Sequence, residues 1–152
     1  MKTKKIFTIL FVILVGATTL SYAEKSADEK AAKEVQEETQ DLIDALGNYT
    51  AAQKAEAIEK TQSTLDRLDQ RIDVLEDKID DSWDEMSEEA QERTRDTLRT
   101  LRKQRIKVAE KFGSLKDSSS EAWDKMKKGF VDAYKELTSA WDESLKEFDP
   151  QQ

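Results

Sequence analysis

Cysteine and histidine are both absent from the 152-residue chain. Their absence excludes disulfides, thiol and imidazole catalysis, and zinc, haem and iron–sulfur sites of the usual kind. The chain also has only one proline and four glycines, which are too few turn-forming residues for a fold of many short strands. We therefore expect an all-α protein that is not an enzyme and that holds no metal or cofactor.

The first 23 residues have the pattern of a signal peptide. Three lysines stand within the first five residues, an apolar run covers residues 6–15, and Ser21-Tyr22-Ala23 places small residues where signal peptidase requires them. The alternative is an uncleaved membrane anchor, but a helix needs about 20 apolar residues to cross a bilayer. We expect cleavage after Ala23, followed by a periplasmic or secreted location. Loss of the three lysines would lower the net charge from −8 to −11.

Four helical segments are predicted after the leader, because strong helix formers dominate and apolar residues recur at intervals of three and four. The segments lie near residues 26–46, 51–84, 88–112 and 120–148. A capping Ser87 predicts a break between the second and third segments, although one continuous helix is the alternative. Ser118 and Glu121 have the spacing of a capping box for the fourth. The chain thus divides into an N-terminal helix (24–50), a charged hairpin (51–115) and a C-terminal helix (116–152).

The hairpin segment carries a heptad pattern of apolar residues, which is typical of a coiled-coil seam. In the second segment the seam residues are Leu65, Leu68, Ile72, Leu75 and Ile79, and in the third they are Leu98, Leu101, Val108 and Phe112. Arg105 occupies one seam position, and we expect its stem to pack while its guanidinium group reaches solvent.

Opposite charges separate into two arms of this hairpin. Residues 56–89 contain 13 acidic and four basic residues, whereas residues 93–107 contain seven basic residues and one acidic residue. If the chain turns near Ser87, the two arms lie antiparallel and their flanking charges attract each other. The alternative is a nucleic-acid patch on the basic arm. Export, the negative net charge and the absence of aromatic residues among these bases all oppose a nucleic-acid partner.

The acidic run at residues 80–89 does not have the features of a calcium loop. An EF-hand needs a glycine and oxygen ligands at fixed spacing, but this run has no glycine and Trp83 lies within it. Paired carboxylates are expected by chance in so acidic a chain, and a catalytic acid also needs an apolar pocket. We therefore interpret the run as a solvated helix end.

The C-terminal segment repeats every eleven residues, a period close to that of a straight α-helix. Its apolar face consists of Trp123, Met126, Phe130, Tyr134, Leu137, Trp141, Leu145 and Phe148. This face is interpreted as core, with a lipid-binding face and a docking face for a partner as alternatives. Gly129 and Ala140 beside it would allow another surface to approach closely.

The tail also resembles a known family. The sequences Glu121-Ala122-Trp123, Lys127-Lys128-Gly129-Phe130, Ala133-Tyr134 and Ala140-Trp141, together with Leu137, resemble the tail of a small bacterial family of coiled-coil stress-response proteins. In that family the tail follows a charged coiled coil, and residues 65–115 take this place here. The resemblance implies a helical, non-enzymatic protein associated with stress, and it carries over no binding residues.

Together these patterns predict an all-α protein whose antiparallel hairpin is either elongated or folded back into a three- to four-helix bundle. Its expected role is structural or interactive, through a protein partner or self-association. The alternative is an amphipathic protein that makes weak contact with a membrane surface.

Overall fold

A computed structural model describes the backbone of residues 16–148 and the side chains of residues 26–148. Within this range the chain forms α-helices and no strand, which confirms the all-α prediction. The helices are α1 (Gly16–Asn48), α2 (Lys54–Ser82), α3 (Glu88–Lys116) and α4 (Trp123–Glu147). Short 3₁₀ turns at Ala51–Gln53 and Trp83–Glu85 flank α2. Residues 1–15 of the predicted leader lie outside the described part of the chain.

The four helices fold back into a bundle in which each helix packs on the next and α4 also packs on α1. Interhelical ion pairs show that successive helices run antiparallel, because residue numbers rise along one helix as they fall along its neighbour. Between α1 and α2 the pairs are Arg71–Glu38 and Lys78–Asp28, both at 3.2 Å. Between α2 and α3 they are Arg102–Glu76 at 2.9 Å and Arg105–Asp69 at 2.8 Å. Between α3 and α4 they are Lys107–Glu136 at 2.6 Å and Arg93–Glu147 at 3.3 Å. Of the two predicted arrangements, the bundle is therefore found and the elongated hairpin is not.

The seam residues predicted on α2 and α3 lie in a core that all four helices share. All nine are buried, with exposed fractions between 0 and 9 %. They pack in one cluster with Val35, Leu42 and Leu46 of α1 and with the apolar face of α4. The seam is thus part of a bundle core, and it is not confined to a contact between α2 and α3.

The closest helix packing is between α3 and α4, and small residues on α4 allow it. Ala133, Ala140 and Ser144 are buried at helical spacing, and the Ser144 hydroxyl donates to the Ala140 carbonyl oxygen at 2.8 Å. Gly129 does not have the role expected of it, since a Cβ placed there would meet no heavy atom within 4 Å. Close approach therefore depends on the alanine and serine positions.

The start of α3 is where the sequence predicts it, whereas the connection between α3 and α4 differs from the prediction. The Ala90 N–H donates to the Ser87 hydroxyl oxygen at 3.2 Å, so α3 starts at the predicted cap and the continuous-helix alternative is wrong. At the next turn, α3 continues through Gly113 to Lys116. The predicted Ser118–Glu121 capping box is also wrong, because the Ala122 N–H donates instead to the Ser119 hydroxyl oxygen at 3.2 Å.

We expect Gly129→Ala and Ala140→Leu to have opposite effects on stability. Gly129→Ala should raise the free energy of unfolding by about 0.5–1 kcal/mol, because alanine favours a helix interior and the added methyl group has room. Ala140→Leu should lower it by about 1–3 kcal/mol, because the larger side chain overpacks the α3–α4 contact. Urea denaturation measures both changes. Destabilisation by Gly129→Ala would show that the glycine is a packing contact.

Aromatic rings continue the core along α4. The ring centroids of Phe112 and Phe130 are 6.0 Å apart, and those of Phe130 and Tyr134 are 5.8 Å apart. Burial raises the pKa of Tyr134 to about 12, although a hydrogen bond with Thr39 opposes the rise. The folded chain therefore holds this phenol neutral at pH values where an exposed tyrosine ionises.

This pKa predicts a loss of stability at high pH. An unfolded tyrosine ionises near pH 10, so Tyr134 has no effect on the pH dependence of stability below pH 10. Between pH 10 and 12 it should lower the free energy of unfolding by about 1.4 kcal/mol per pH unit. Tyr134→Phe should make this decline shallower, as measured by urea denaturation from pH 9 to 12. Parallel declines in the two proteins would contradict burial of the phenol.

Candidate functional site

The apolar face predicted on α4 lies inside the bundle. Six of its eight side chains are buried, with exposed fractions of 0–4 %: Trp123, Phe130, Tyr134, Leu137, Trp141 and Phe148. Met126 and Leu145 are partly buried and pack against the same core. In the folded bundle this face is therefore covered by other helices, and a binding surface has to be found elsewhere.

Hydrogen bonds link the α1–α2 connection to the N-terminal end of α4 and to the α3–α4 connection. The Trp123 indole N–H and the Lys127 ammonium both donate to the Tyr49 carbonyl oxygen, at 3.0 and 2.9 Å. Tyr49 lies between α1 and α2, and Lys54 at the start of α2 donates to the carbonyl oxygen of Ser118 at 2.7 Å. These polar groups are therefore engaged in hydrogen bonds within the chain.

Large apolar side chains among residues 26–148 are strongly exposed at two places, Val74 (56 %) and Ile106 (63 %). Val74 lies next to Lys78 on the helical wheel and on the same side as Arg71, and those two residues form ion pairs with α1. It therefore belongs to the α1 side of α2. Ile106 lies on the exposed side of α3, in a surface groove beside α2.

We call this surface the α2/α3 face. Its groove is lined by Asp80, Trp83, Arg95, Leu98, Arg99, Arg102, Lys103 and Ile106. Most of these residues come from one side of α3, because they recur at intervals of three and four. The face thus combines an aliphatic side chain, an indole ring and four cations in one place.

Some cations near this face are paired with α2. The Arg102 Nε lies 2.9 Å from a carboxylate oxygen of Glu76, which raises the pKa of Arg102. Arg105 contacts Asp69 at 2.8 Å and Asp73 at 3.1 Å. The Arg105 side chain is 34 % exposed, so its head lies at the surface as expected, and there it has two carboxylate partners from α2 that were not predicted. These ion pairs lie along the line where α3 meets α2.

Three other cations have no carboxylate from another helix among the described side chains. The Arg95 guanidinium carbon stacks 4.8 Å from the Trp83 ring centroid. Arg99 contacts Asp96 of its own helix at 3.2 Å, and Lys103 has no described salt-bridge partner. The three follow one another at intervals of four residues, which places them in a row about 6 Å apart along the helix. We call them the basic row.

The chemistry of the α2/α3 face is suited to binding. Guanidinium and ammonium groups attract carboxylates and phosphates, and indole and aliphatic groups exclude water from an interface. Within residues 26–148 no cluster of three or more acidic side chains is arranged to hold a metal ion.

Comparison of the chain with known protein families, curated proteins and solved structures finds no match. No helix in the part of the chain that the structure describes has both the length and the apolar character to cross a bilayer. A function for the chain therefore has to be inferred from its own residues.

The sequence pattern pointed to the apolar face of α4 and not to the α2/α3 face. A signal for it was present, because Arg95, Arg99, Lys103 and Ile106 recur at helical spacing on the side of α3 away from the seam. What the sequence did not reveal is which of the many cations would find partners inside the fold. That depends on the register between helices.

Burial of the tryptophans predicts how their fluorescence responds to a soluble quencher. Trp123 and Trp141 are each 2 % exposed, whereas Trp83 is only partly buried. We expect Trp83→Phe to remove most of the fluorescence that acrylamide quenches and Trp141→Phe to leave that fraction intact. The opposite result would place the α4 aromatic face at the surface.

Proposed function

We propose that the chain is an exported, non-enzymatic coiled-coil bundle that acts by binding another protein through the α2/α3 face. The pattern of residues 1–23 supports export, and the absence of histidine and cysteine supports a role without catalysis. The association with bacterial stress is carried forward from the resemblance of the tail.

One observation carries the proposal: Ile106, Trp83 and the basic row, which has no carboxylate partner on another helix, lie on the same face. Tryptophan and arginine are the residue types most enriched at binding hot spots. An exposed aliphatic residue beside cations without interhelical partners contributes little to the stability of the monomer. Such a group is typical of a surface that is completed by another molecule.

The alternative function is contact with a membrane surface, which the basic row would also favour. Cations near anionic lipid each contribute about 1 kcal/mol of attraction, and Ile106 would enter the interface. However, the exposed acids of α2 stand beside this row and would be repelled by the same lipid. The α4 face could reach lipid only if the bundle opened. We therefore favour a protein partner.

A photocrosslinking experiment tests the proposal. A photoreactive phenylalanine analogue placed at position 106 should form protein adducts in the cell that exports the chain. The matched control is the same analogue at position 74, the other strongly exposed apolar position, on the α1 side of α2. Protein adducts at 106 and not at 74 are expected. Lipid adducts at 106 would support the membrane alternative, and equal labelling at both positions would contradict a specific face.

A further inference from the structure

We propose that the partner on the α2/α3 face is a second copy of this chain, related by a two-fold axis parallel to the helices. In this dimer α2 of each copy lies across α3 of the other. The inference rests on the proposed function, since it names the occupant of the same face. It is carried by exposed charges on α2 and α3 that do not pair with each other within one copy.

Over residues 95–103 of α3, where the three cations of the basic row stand beside the single acid Asp96, and residues 73–84 of α2 and its following turn, the outward sides of the two helices carry opposite net charge. On α2 and the turn after it, Asp73, Asp77, Asp80 and Asp84 are all exposed. On α3 the outward cations are those of the basic row. Within one copy the two sets point out of the same surface, so they do not pair with each other. A second copy facing the first would bring them together.

The register inside the monomer fixes where the charges would meet. Because Arg102 pairs with Glu76 and the helices are antiparallel, position 99 of α3 is level with position 79 of α2. A two-fold axis parallel to the helices leaves the position of each residue along the axis unchanged. It places α3 of one copy opposite α2 of the other. Arg99 would then lie between Asp80 and Asp77 of the second copy. Each of these carboxylates is offset along the axis by about 1.5–3 Å.

The other two cations of the row find acids in the same way. Lys103 is level with position 75 and would lie near Asp77 of the second copy, and near Asp73, which also pairs with Arg105 of its own copy. Arg95 is level with position 83 and would lie next to Asp84. Asp96, the acid within this row, is already paired with Arg99. Every cation of the row therefore has a carboxylate of the second copy within about one helical turn.

Other ways of joining two copies do not give this match. Placing α3 on α3 and α2 on α2 would set basic row against basic row and acid against acid. Like charges placed opposite each other are strongly unfavourable and suppress a wrong arrangement. Since most of the interface is charged and Ile106 supplies its exposed apolar side chain, the dimer should be reversible and sensitive to salt.

Charge reversal on either helix tests this arrangement. One variant carries Arg99→Glu and Lys103→Glu, and the other carries Asp77→Lys and Asp80→Lys. The matched control is Lys125→Glu with Lys128→Glu, two exposed lysines on α4. All are expressed as the full chain, purified after export and compared by sedimentation velocity and light scattering. Circular dichroism verifies that each variant is helical.

We expect the wild type and the control to dimerise at low salt, with a dissociation constant that rises about tenfold or more at 0.5 M salt. Each reversal variant alone should be monomeric, because it sets like charges against each other twice. An equimolar mixture of the two should dimerise again, since both halves of the interface become complementary. Monomeric wild type at low salt, salt-independent dimers, or a mixture that stays monomeric would overturn the proposal.

The result is separable from the proposed function. If the photoreactive analogue at position 106 captures a different protein while the wild type remains monomeric, the dimer is wrong and the binding face stands. If no adduct forms and no dimer is seen, both are wrong. If the adduct has twice the mass of the chain, both are supported.

Discussion

Burial of the apolar face of α4 is the constraint on which the rest of the structure depends. This face carries Trp123, Phe130, Tyr134 and Trp141, and removing each such side chain from water contributes about 1.5–3 kcal/mol. One neighbouring helix covers only part of so wide a face. In the bundle α4 packs on both α3 and α1, and the chain must fold back on itself to bring α1 there. A long two-helix rod would leave much of the face in water.

Charge decides which helix lies beside which. Acids of α1 face bases of α2, acids of α2 face bases of α3, and bases of α3 face acids of α4. Single exposed pairs of this kind contribute only about 0.2–1 kcal/mol. Their contribution is selective, because a different order of helices would set like charges together. No ion pair joins α1 to α4 among the described side chains, and apolar packing closes the ring there.

The sequence was informative where a feature depends on local periodicity or capping. The heptad residues of α2 and α3 are buried, and Ser87 caps α3 where a capping serine was expected. It was uninformative where the outcome depends on how two helices meet. The apolar spacing of α4 does not show which side faces α3. The structure places Ala133, Ala140 and Ser144 on the same side of α4 as Glu136 and Glu147, which pair with α3. Likewise, a seam is buried both in an elongated hairpin and in a bundle, so its pattern alone left both arrangements open.

The same limit applies to the binding surface. Seven basic residues between positions 93 and 107 look alike in the sequence, and interhelical register divides them into those with partners and those without. Arg102 and Arg105 reach α2, and Lys107 reaches α4, whereas the basic row does not reach a carboxylate of another helix. The candidate site therefore consists of the exposed cations that have no carboxylate partner on another helix, together with Ile106 and Trp83.

Two substitutions to glutamate compare the inner and outer faces most directly. Phe130→Glu places a charge in the core, and we predict that it lowers the free energy of unfolding by at least about 3–5 kcal/mol. Ile106→Glu changes an exposed residue on the α2/α3 face and, at 0.5 M salt and low protein concentration where the chain is monomeric, should alter the free energy of unfolding by no more than about 0.5 kcal/mol. Chemical denaturation of both variants beside the wild type gives the comparison. Equal effects, or a stable Phe130→Glu protein, would contradict a bundle that encloses the aromatic face of α4 and leaves the α2/α3 face free.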